Sequence, residues 1–539
     1  MKRAAQIVML GLLALVIALP LARSQLDPEG RSDINNAPLP AFPSLENEGS
    51  LINQAYSYAS DRIGFRPRSI LISQALNAGL FSLLTHPLYD MGTDGQFFFR
   101  FEPYTTSLEW LTAYADYLKQ MQDYCEQRDV TFLFVMTPTK NRVMTEYIPD
   151  AINYTRTLVD DFIPLLEERG VNYIDLGAVM LANKDDYPVF YQKFDSWHWS
   201  ETGAFLGAQA IIERLQEDHP SLEALEFDDY LAEDYHYETL PNSQFAIDET
   251  SPLYTLADPS AGAIEVEGLG ESLIRIRAYH DLRVFENPNI PDAPRELFFT
   301  GSYFNGKDRV SYNQFSYSAN VHNYTDVMAL PYYYSLFDPD IVIVDTADYV
   351  YDSWYFPYEG LLRTQLALPF ETWEGLPRER LTPSAALGAP DFSNPDAFCV
   401  EDPTGNGLYV PFTVVGPVSL GDGSDDASDG GVGGSGGEGG GSGGVGGSGG
   451  GDGAGGPEAF ALTPNDGQPV SNYYLTWAGP AIQSAYVQIG EQIYDCCLTG
   501  NIIEFGLWTD ELVAEGSVTI ITIAADGQKA YEVTMPVQH

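Results

Sequence analysis

The sequence predicts an α/β fold in which helices flank a parallel sheet, followed by a small β-sandwich-like domain. Amphipathic helical stretches alternate with short, continuous apolar runs over most of the first 350 residues. Continuous apolar runs of strand length are typical of strands buried on both faces, as in parallel sheets. Towards the C-terminus, short stretches of alternating polarity separated by turn residues indicate an antiparallel β domain.

The individual elements follow in order along the chain. Apolar residues recur at helical spacing over 51–84, with interruptions at Gly64 and Pro67. Gly and Asp turn residues before an aromatic run predict a hairpin over 89–99. The spacing of apolar residues then predicts helices over 108–128, 155–169 and 203–216, and strands over 130–136, 171–176, 296–300 and 340–345.

This alternation also predicts where a site would lie. Strands that alternate with helices form a parallel sheet, and ligands bind beyond the carboxyl ends of its strands. The segments 137–140, 301–305 and 346–349 follow three predicted strands directly. They are therefore the first places in which to look for functional side chains.

The predicted organisation places further segments on either side of this α/β region. Residues 421–456 are more than half glycine and cannot pack a core. The chain is predicted to begin with a signal peptide or signal-anchor over 1–24 and a tether over 25–46. An α/β domain over 47–360 and a connecting segment over 361–396 follow, and then a β domain over 397–539 that the Gly-rich linker 421–456 interrupts or precedes.

Charge and the N-terminus indicate export and exclude nucleic-acid binding. The formal net charge is −49, with 27 Lys and Arg against 76 Asp and Glu, whereas nucleic-acid binding requires a basic face. Lys2 and Arg3 precede an apolar run over 4–22, which predicts a periplasmic or extracellular protein. The run suits either a cleaved signal or an uncleaved membrane anchor.

The cysteines predict no metal site. The chain has four, and their spacing matches no zinc motif. In an oxidising compartment Cys399 could form a disulfide with Cys496 or Cys497, while Cys125 reads as an inert, buried thiol. The acidic Gly-rich tract contains no calcium-binding repeat. We therefore predict no metal and no cofactor.

Ser302 is the candidate nucleophile. It follows an apolar strand that stops at Gly301, so a tight turn there would present the hydroxyl at the strand's carboxyl end. A serine acyl enzyme needs such a hydroxyl, an imidazole that takes its proton and a carboxylate that orients the imidazole. A plain Gly–Ser turn is the alternative reading.

A second motif supplies the other two groups. Asp195 and His198 lie three residues apart before a predicted helix, a spacing that allows carboxylate and imidazole to meet. Trp197 and Trp199 would limit access of water or contact a substrate. The alternative reading is that Ser200 caps the helix and that the other residues form an ordinary polar turn.

Asp-x-x-His together with a separate Gly–Ser resembles the SGNH-type esterases and acetyltransferases. The order in this chain, with Asp195 and His198 before Ser302, resembles the alginate O-acetyltransferase AlgX/AlgJ family, which is related to the DHHW proteins. Four further segments resemble that family in the same order, namely 61–66, 92–98, 137–149 and 339–344.

The resemblance implies an SGNH-like sheet with Ser302 as nucleophile, His198 as general base and Asp195 as the orienting carboxylate. The family usually shows Asp-x-His-Trp, so the extra residue here leaves Ser196 at the acid position if the motif is aligned without a gap. Asn305, Asn313 or Tyr303 would help to bind the oxyanion. Lys140 would contact an anionic sugar or, alternatively, form a surface salt bridge.

The implied function is O-acetylation of polysaccharide hydroxyls through an acyl-serine intermediate. The implied partners are a polysaccharide acceptor and a membrane acyl-transfer protein as the source of acetyl, with membrane contact through the N-terminal segment. Two alternatives stay open: an SGNH-type carbohydrate esterase, and a non-catalytic surface protein that binds polysaccharide. Tyr473, Tyr474 and Trp477 motivate a sugar-binding role for the β domain, and docking onto the catalytic domain is the alternative.

Overall fold

A computed structural model describes most of the chain. The described residues are 31–32, 37–44, 50–81, 89–99, 106–149, 157–237, 247–267, 281–304, 306–307, 310–322, 324–351, 355–356, 358–382, 386–388, 400–401, 408–409 and 468–537, with a few single positions. The predicted signal or anchor segment, apart from two single positions, lies outside this set, as do the Gly-rich linker and Cys399. The predictions made for them stay predictions.

The described residues form ten α-helices. They are α1 Leu51–Arg62, α2 Arg66–Phe81, α3 Leu108–Glu126, α4 Lys140–Val143, α5 Val159–Arg169, α6 Leu176–Asn183, α7 Glu201–Leu215, α8 Leu330–Phe337, α9 Tyr358–Arg363 and α10 Thr509–Glu515. Among the residues that the structure describes, no helix is both long and apolar enough to cross a bilayer.

The strands fall into several sheets. They are β1 Arg31–Ser32, β2 Ala37–Pro38, β3 Tyr89–Met91, β4 Phe97–Phe99, β5 Thr131–Thr137, β6 Tyr173–Asp175, β7 Tyr230–Tyr237, β8 Glu249–Leu256, β9 Ile264–Glu265, β10 Asp281–Glu286, β11 Arg295–Phe299, β12 Tyr317–His322, β13 Ile341–Ala347, β14 Arg378–Arg380, β15 Leu387–Gly388, β16 Val400–Glu401, β17 Leu408–Tyr409, β18 Val470–Trp477, β19 Ile482–Ile489, β20 Gln492–Asp495, β21 Cys497–Thr499, β22 Ile502–Trp508, β23 Ser517–Ala524 and β24 Ala530–Pro536.

The central sheet has seven strands in the order β6-β5-β13-β11-β12-β10-β9. The first five run parallel, and β10 and β9 continue the sheet in antiparallel pairing. Side chains of β5, β11 and β13 alternate between two cores, one built with α3, α5 and α8 and the other with α6 and α7. The predicted α/β class, with helices on both faces of a parallel sheet, is confirmed.

The carboxyl ends of β5, β6, β11 and β13 lie side by side because these strands are parallel neighbours. The hairpin predicted over 89–99 forms from β3 and β4. Its turn contains Asp94 in the left-handed region, with φ of 54°. A two-stranded ribbon of β7 and β8, which the sequence analysis did not predict, completes this part of the molecule.

The C-terminal region is a β-sandwich, as the predicted fold class requires. A five-stranded sheet, β14-β24-β23-β19-β20, faces a four-stranded sheet, β15-β18-β22-β21. Their inward side chains share one core. Strands β14 and β15 belong to these sheets although they lie within the predicted connecting segment 361–396.

Two of the three aromatic residues proposed as a sugar platform lie inside this sandwich. Tyr473 and Trp477 are buried in its core, and the Trp477 indole donates a hydrogen bond to the carbonyl of Pro480 at 2.6 Å. The side chain of Tyr474 is outside the described set. Two of the three residues thus serve packing, because buried rings cannot stack on a sugar.

The described cysteines are all buried. Cys125 lies in α3 with no exposed surface, and burial raises the pKa of its thiol well above the ordinary value. This matches the inert thiol predicted for it. Cys496 and Cys497 are also buried.

A buried ion pair joins the sandwich to the catalytic region. The guanidinium of Arg128, just after α3, lies 2.8 Å from the Asp495 carboxylate of β20. The Tyr124 hydroxyl donates to the same carboxylate at 2.5 Å. The Arg128 guanidinium also lies over the Tyr124 ring, 3.7 Å from its centroid. The β-sandwich therefore docks on the catalytic region, as the alternative reading proposed.

We expect Arg128→Met to lower the free energy of unfolding by about 3 kcal/mol, because it leaves the buried Asp495 carboxylate without its cation. Thermal unfolding followed by circular dichroism would measure the effect. Arg283→Met is a matched control, since its partner Glu265 is about half exposed and such pairs contribute about 0–1 kcal/mol. Equal losses of unfolding free energy in the two variants would contradict a stabilising role of the pair between Arg128 and Asp495.

Candidate active site

Ser302 lies beyond the carboxyl end of β11, in the position that the strand pattern predicts. Its Oγ is 2.8 Å from the Nε2 atom of His198, 104 positions earlier in the chain. The Nδ1 atom of His198 is in turn 2.8 Å from Oδ2 of Asp195. The three predicted residues therefore form one continuous chain of hydrogen bonds.

Asp195 performs two tasks with its two carboxylate oxygens. Oδ1 accepts hydrogen bonds from the backbone amides of Trp197 and His198, each at 2.9 Å, and so shapes the turn. Oδ2 faces the imidazole. Asp195 therefore both forms the polar turn and orients the imidazole, so the two interpretations of this motif are compatible. The residue that contacts the His198 imidazole is Asp195 and not Ser196.

The protonation of the triad follows from these contacts. Burial alone would raise the pKa of Asp195, but the opposite effects of His198, including its hydrogen bonds, and of the Lys307 charge prevail and hold it well below its ordinary value. An ionised carboxylate only accepts hydrogen bonds, so the proton of neutral His198 lies on Nδ1. Nε2 is then free to accept the proton of the Ser302 hydroxyl.

The helix after the motif begins as the alternative reading proposed. Ser200 is the N-cap of α7, and its hydroxyl accepts a hydrogen bond from the Gly203 amide at 3.1 Å. Glycine is required at 207 because a Cβ there would approach the Trp199 ring to 2.7 Å. The cap fixes the start of α7, and the room left at Gly207 lets the Trp199 ring pack against the helix, next to the turn that carries His198.

The two tryptophans of the motif occupy different environments. Trp199 is fully buried, and its indole donates to the Tyr303 carbonyl at 2.8 Å, so it packs the core and does not reach a substrate. Trp197 is half-buried, in contact with the ring of Phe99 and, edge-on, with that of Tyr349. Of the two, only Trp197 lines the surface next to Ser302.

The structure contradicts both roles that the sequence suggested for Lys140. Its side chain has no exposed surface, so it neither contacts an anionic sugar nor forms a surface salt bridge. The ammonium donates to the carbonyls of Phe97, Tyr191 and Gln192 at 2.8, 2.7 and 3.0 Å. Burial lowers the pKa of Lys140 to about 7, against the opposing charges of Glu249 and Asp195.

The predicted oxyanion residues are not all placed beside Ser302. Asn305 lies outside the described residues. The side-chain oxygen of Asn313 accepts a hydrogen bond from the Ala263 amide at 2.8 Å, so it contacts the loop at residue 263 and not Ser302. The Tyr303 side chain is buried, and its hydroxyl donates to the Trp197 carbonyl at 2.5 Å. Only the backbone amide of Tyr303 is adjacent to the nucleophile.

Tyr349 is the neighbour of Ser302 that sequence reasoning missed. Its hydroxyl lies 2.8 Å from Ser302 Oγ. Because the Ser302 proton is directed to His198, the Tyr349 hydroxyl is the donor of this hydrogen bond. Residue 349 lies within the segment 346–349, which begins in the last two residues of β13, but no local pattern distinguishes a functional tyrosine among the many of this chain.

A buried carboxyl lies beneath the nucleophile turn. Asp345 of β13 accepts hydrogen bonds from the Thr137 hydroxyl and, at 3.4 Å, from the Gly301 amide. Burial raises the pKa of Asp345 to about 7. Gly301 is not among the described glycines with positive φ, so the turn does not depend on a left-handed backbone at that position.

The arrangement has the parts of an acyl-transfer site: a hydroxyl, a base, an orienting carboxylate and a further hydroxyl donor. In the described part of the chain, no group of three or more His, Cys, Asp or Glu side chains is placed to hold a metal ion. A Ser–His–Asp chain at the carboxyl ends of parallel strands is the arrangement expected of an SGNH hydrolase-like domain.

One family model matches part of this region. Residues 90–244 match the family described as the SGNH hydrolase-like domain of the acetyltransferase AlgX. This stretch of the chain is thus similar to the acetyltransferase domain of AlgX, and that family belongs to the O-acyltransferases. The matched region contains Asp195 and His198, and Ser302 lies beyond it. No curated protein sequence matches the chain.

Several solved structures are similar to parts of the chain. Bacillus cereus PatB1 with a sulfonyl adduct is 16% identical over 49% of this chain and 97% of its own, with a TM-score of 0.39. The O-acetyltransferase domain of Pseudomonas putida AlgJ is 17% identical over 49% and 92%, with a TM-score of 0.34. Pseudomonas aeruginosa AlgX is 14% identical over 48% and 62%, with a TM-score of 0.31. Likenesses of this size do not assign an activity.

Proposed function

We propose that this protein is an exported O-acetyltransferase that acts on polysaccharide hydroxyls through an acetyl-Ser302 intermediate. The observation that carries the proposal is the unbroken hydrogen-bond chain from Asp195 through His198 to Ser302. A serine and histidine 2.8 Å apart, with the histidine oriented by a carboxylate, have the geometry needed to activate the hydroxyl. A protein that only binds sugar has no need of this alignment.

The first half-reaction would load the enzyme. Ser302 Oγ attacks the carbonyl carbon of an acetyl ester while His198 Nε2 takes its proton, and Asp195 stabilises the resulting imidazolium. The tetrahedral intermediate expels the donor's alcohol, which leaves with the proton from His198. The product is an acetyl ester on Ser302 and neutral His198.

The second half-reaction would run the same steps with a sugar hydroxyl. The hydroxyl gives its proton to His198 and attacks the acetyl carbon, and the Ser302 oxygen leaves and regains the proton. The backbone amides of Ser302 and Tyr303 and the Tyr349 hydroxyl are the candidate donors to the oxyanion in both steps. Export, a membrane protein that supplies acetyl, and membrane contact through residues 1–24 belong to the same proposal.

Mass spectrometry of the purified chain tests the proposal directly. Incubation with p-nitrophenyl acetate should add one acetyl group to the tryptic peptide that contains Ser302. An oligosaccharide added afterwards should then become acetylated as the adduct disappears. Loss of the acetyl group to water alone would instead identify an esterase. A wild-type chain that forms no adduct and releases nitrophenol no faster than Ser302→Ala would refute catalysis through Ser302.

Tyr349→Phe is expected to lower kcat by about 10- to 100-fold with little change in KM, the cost of one hydrogen bond to a charge that develops in the transition state. The substitution keeps the ring that contacts Trp197 edge-on. Steady-state release of nitrophenol measures the effect. Tyr173→Phe, a partly exposed tyrosine at the sheet edge, is the control, and equal rates for both variants would exclude a role for the Tyr349 hydroxyl.

A further inference from the structure

The segment that leads into Asp195 is held by a buried lysine on one side. Lys140 begins α4, directly after the carboxyl end of β5. Its ammonium uses three N–H groups on three backbone carbonyls, two of which belong to Tyr191 and Gln192 in this segment and one to Phe97 in the hairpin. The Phe97 amide donates to the Gln192 carbonyl at 2.8 Å, so the hairpin and the segment are also joined directly.

A glutamate binds the amides of the same segment. The Glu249 carboxylate, at the start of β8, accepts hydrogen bonds from the backbone amides of Gln192, Lys193 and Phe194 at 2.5, 2.9 and 2.9 Å. The next residue is Asp195. One carboxylate therefore fixes three consecutive peptide groups immediately before the acid of the triad.

The two side chains act on complementary groups of one short stretch of backbone. Lys140 binds carbonyl oxygens and Glu249 binds amides, and the Glu249 charge also favours the ammonium form of Lys140. Together they connect the end of β5, the β3–β4 hairpin and the β7–β8 ribbon to residues 191–194. Burial of an ammonium costs free energy of desolvation that an apolar side chain of similar length would avoid. Its three hydrogen bonds instead fix backbone geometry.

We propose that Lys140 and Glu249 are positioning residues that hold segment 191–194 so that Asp195 and His198 reach Ser302 in a reactive geometry. Neither side chain contacts Ser302 or the acyl group in this arrangement; both act through the backbone that precedes Asp195. A displacement of this segment would be passed on to the 2.8 Å contact between His198 and Ser302. The inference rests on the proposed triad chemistry.

Glu249→Gln is the first test, because residue 249 is only half-buried and the carboxamide can no longer accept from all three amides. We expect kcat for p-nitrophenyl acetate to fall by about 10- to 100-fold, the range typical of a small displacement of catalytic groups, while KM changes little. We expect Lys140→Met to lower kcat by a factor in the same range. In the double variant the loss should be smaller than the product of the single losses, since both residues hold one segment.

A spectroscopic readout separates positioning from general stability. The low-field proton resonance of His198 Nδ1–H reports the contact with Asp195, and it should shift or broaden in Glu249→Gln while remaining in Ser302→Ala. Glu233→Gln, an exposed residue of the same ribbon, should change neither kcat nor the resonance.

A folded Glu249→Gln variant with wild-type kcat and an unchanged resonance would overturn the proposal, as would multiplicative losses in the double variant. If Lys140→Met does not fold, Glu249→Gln still decides the question. A wild-type chain that forms no acetyl-Ser302 would refute the proposed function instead, so the two failures are distinguishable.

Discussion

Ser302→Ala is expected to abolish the acetyl adduct and to lower kcat for ester cleavage by about 10⁴- to 10⁶-fold, the cost of losing a triad nucleophile. The physical reason is that alanine offers no oxygen to attack the acetyl carbon. His198 could then act only on water, without the covalent step that divides one high barrier into two lower ones. The burst of nitrophenol release reports formation of the acetyl adduct, and the steady-state rate of release reports kcat.

The control for this variant is Ser196→Ala. Ser196 is the residue that an ungapped alignment of the motif would place at the acid position, and it precedes His198 by only two positions. Because Asp195 is the acid that contacts the imidazole, Ser196→Ala should retain most of the activity. A large loss in Ser196→Ala together with an active Ser302→Ala would move the catalytic centre away from the triad described above.

The sequence predicts the strands of the sheet because continuous apolar runs are a local pattern, and it predicts the candidate triad because both of its motifs, Asp-x-x-His and Gly–Ser, are short. Continuous apolar runs such as 130–136 and 340–345 indicate strands buried on both faces, and the structure has β5 and β13 there. By contrast, β12 inserts between β11 and β10 although it follows both in the chain. Its sequence, from Tyr317 to His322, mixes polar and apolar residues, so no continuous apolar run marks it as a strand of the central sheet.

The residues that sequence analysis misjudged are those whose role depends on distant partners. Lys140 reads as a surface cation, yet the three carbonyls that bind it come from two segments 43 to 52 positions away. Glu249 has no local motif, because its three amide donors lie 55 to 57 positions earlier. Tyr349 reaches Ser302 only because β11 and β13 are parallel neighbours. Such contacts follow from topology, which periodicity does not specify.

Asp195→Asn is expected to lower kcat by about 10³- to 10⁴-fold while the fold stays intact, because the change traps His198 in the wrong tautomer. The Oδ1 position faces two backbone amides, those of Trp197 and His198. An asparagine therefore keeps its carbonyl oxygen there, since an NH₂ group opposite two N–H donors would be repelled. The NH₂ group then occupies the Oδ2 position and donates to His198 Nδ1.

A histidine that accepts at Nδ1 carries its proton on Nε2, the atom that must take the proton of Ser302. The general base is thereby blocked although every heavy atom stays in place. Asp258→Asn is the matched control. Asp258 caps a short helix in the same kind of turn, in which its Oδ1 accepts a hydrogen bond from the Ser260 amide at 3.0 Å, but its carboxylate does not orient His198. If Asp195→Asn retained kcat within about tenfold of the wild type, orientation of His198 by this carboxylate would not be required, and the triad mechanism would lose its central step.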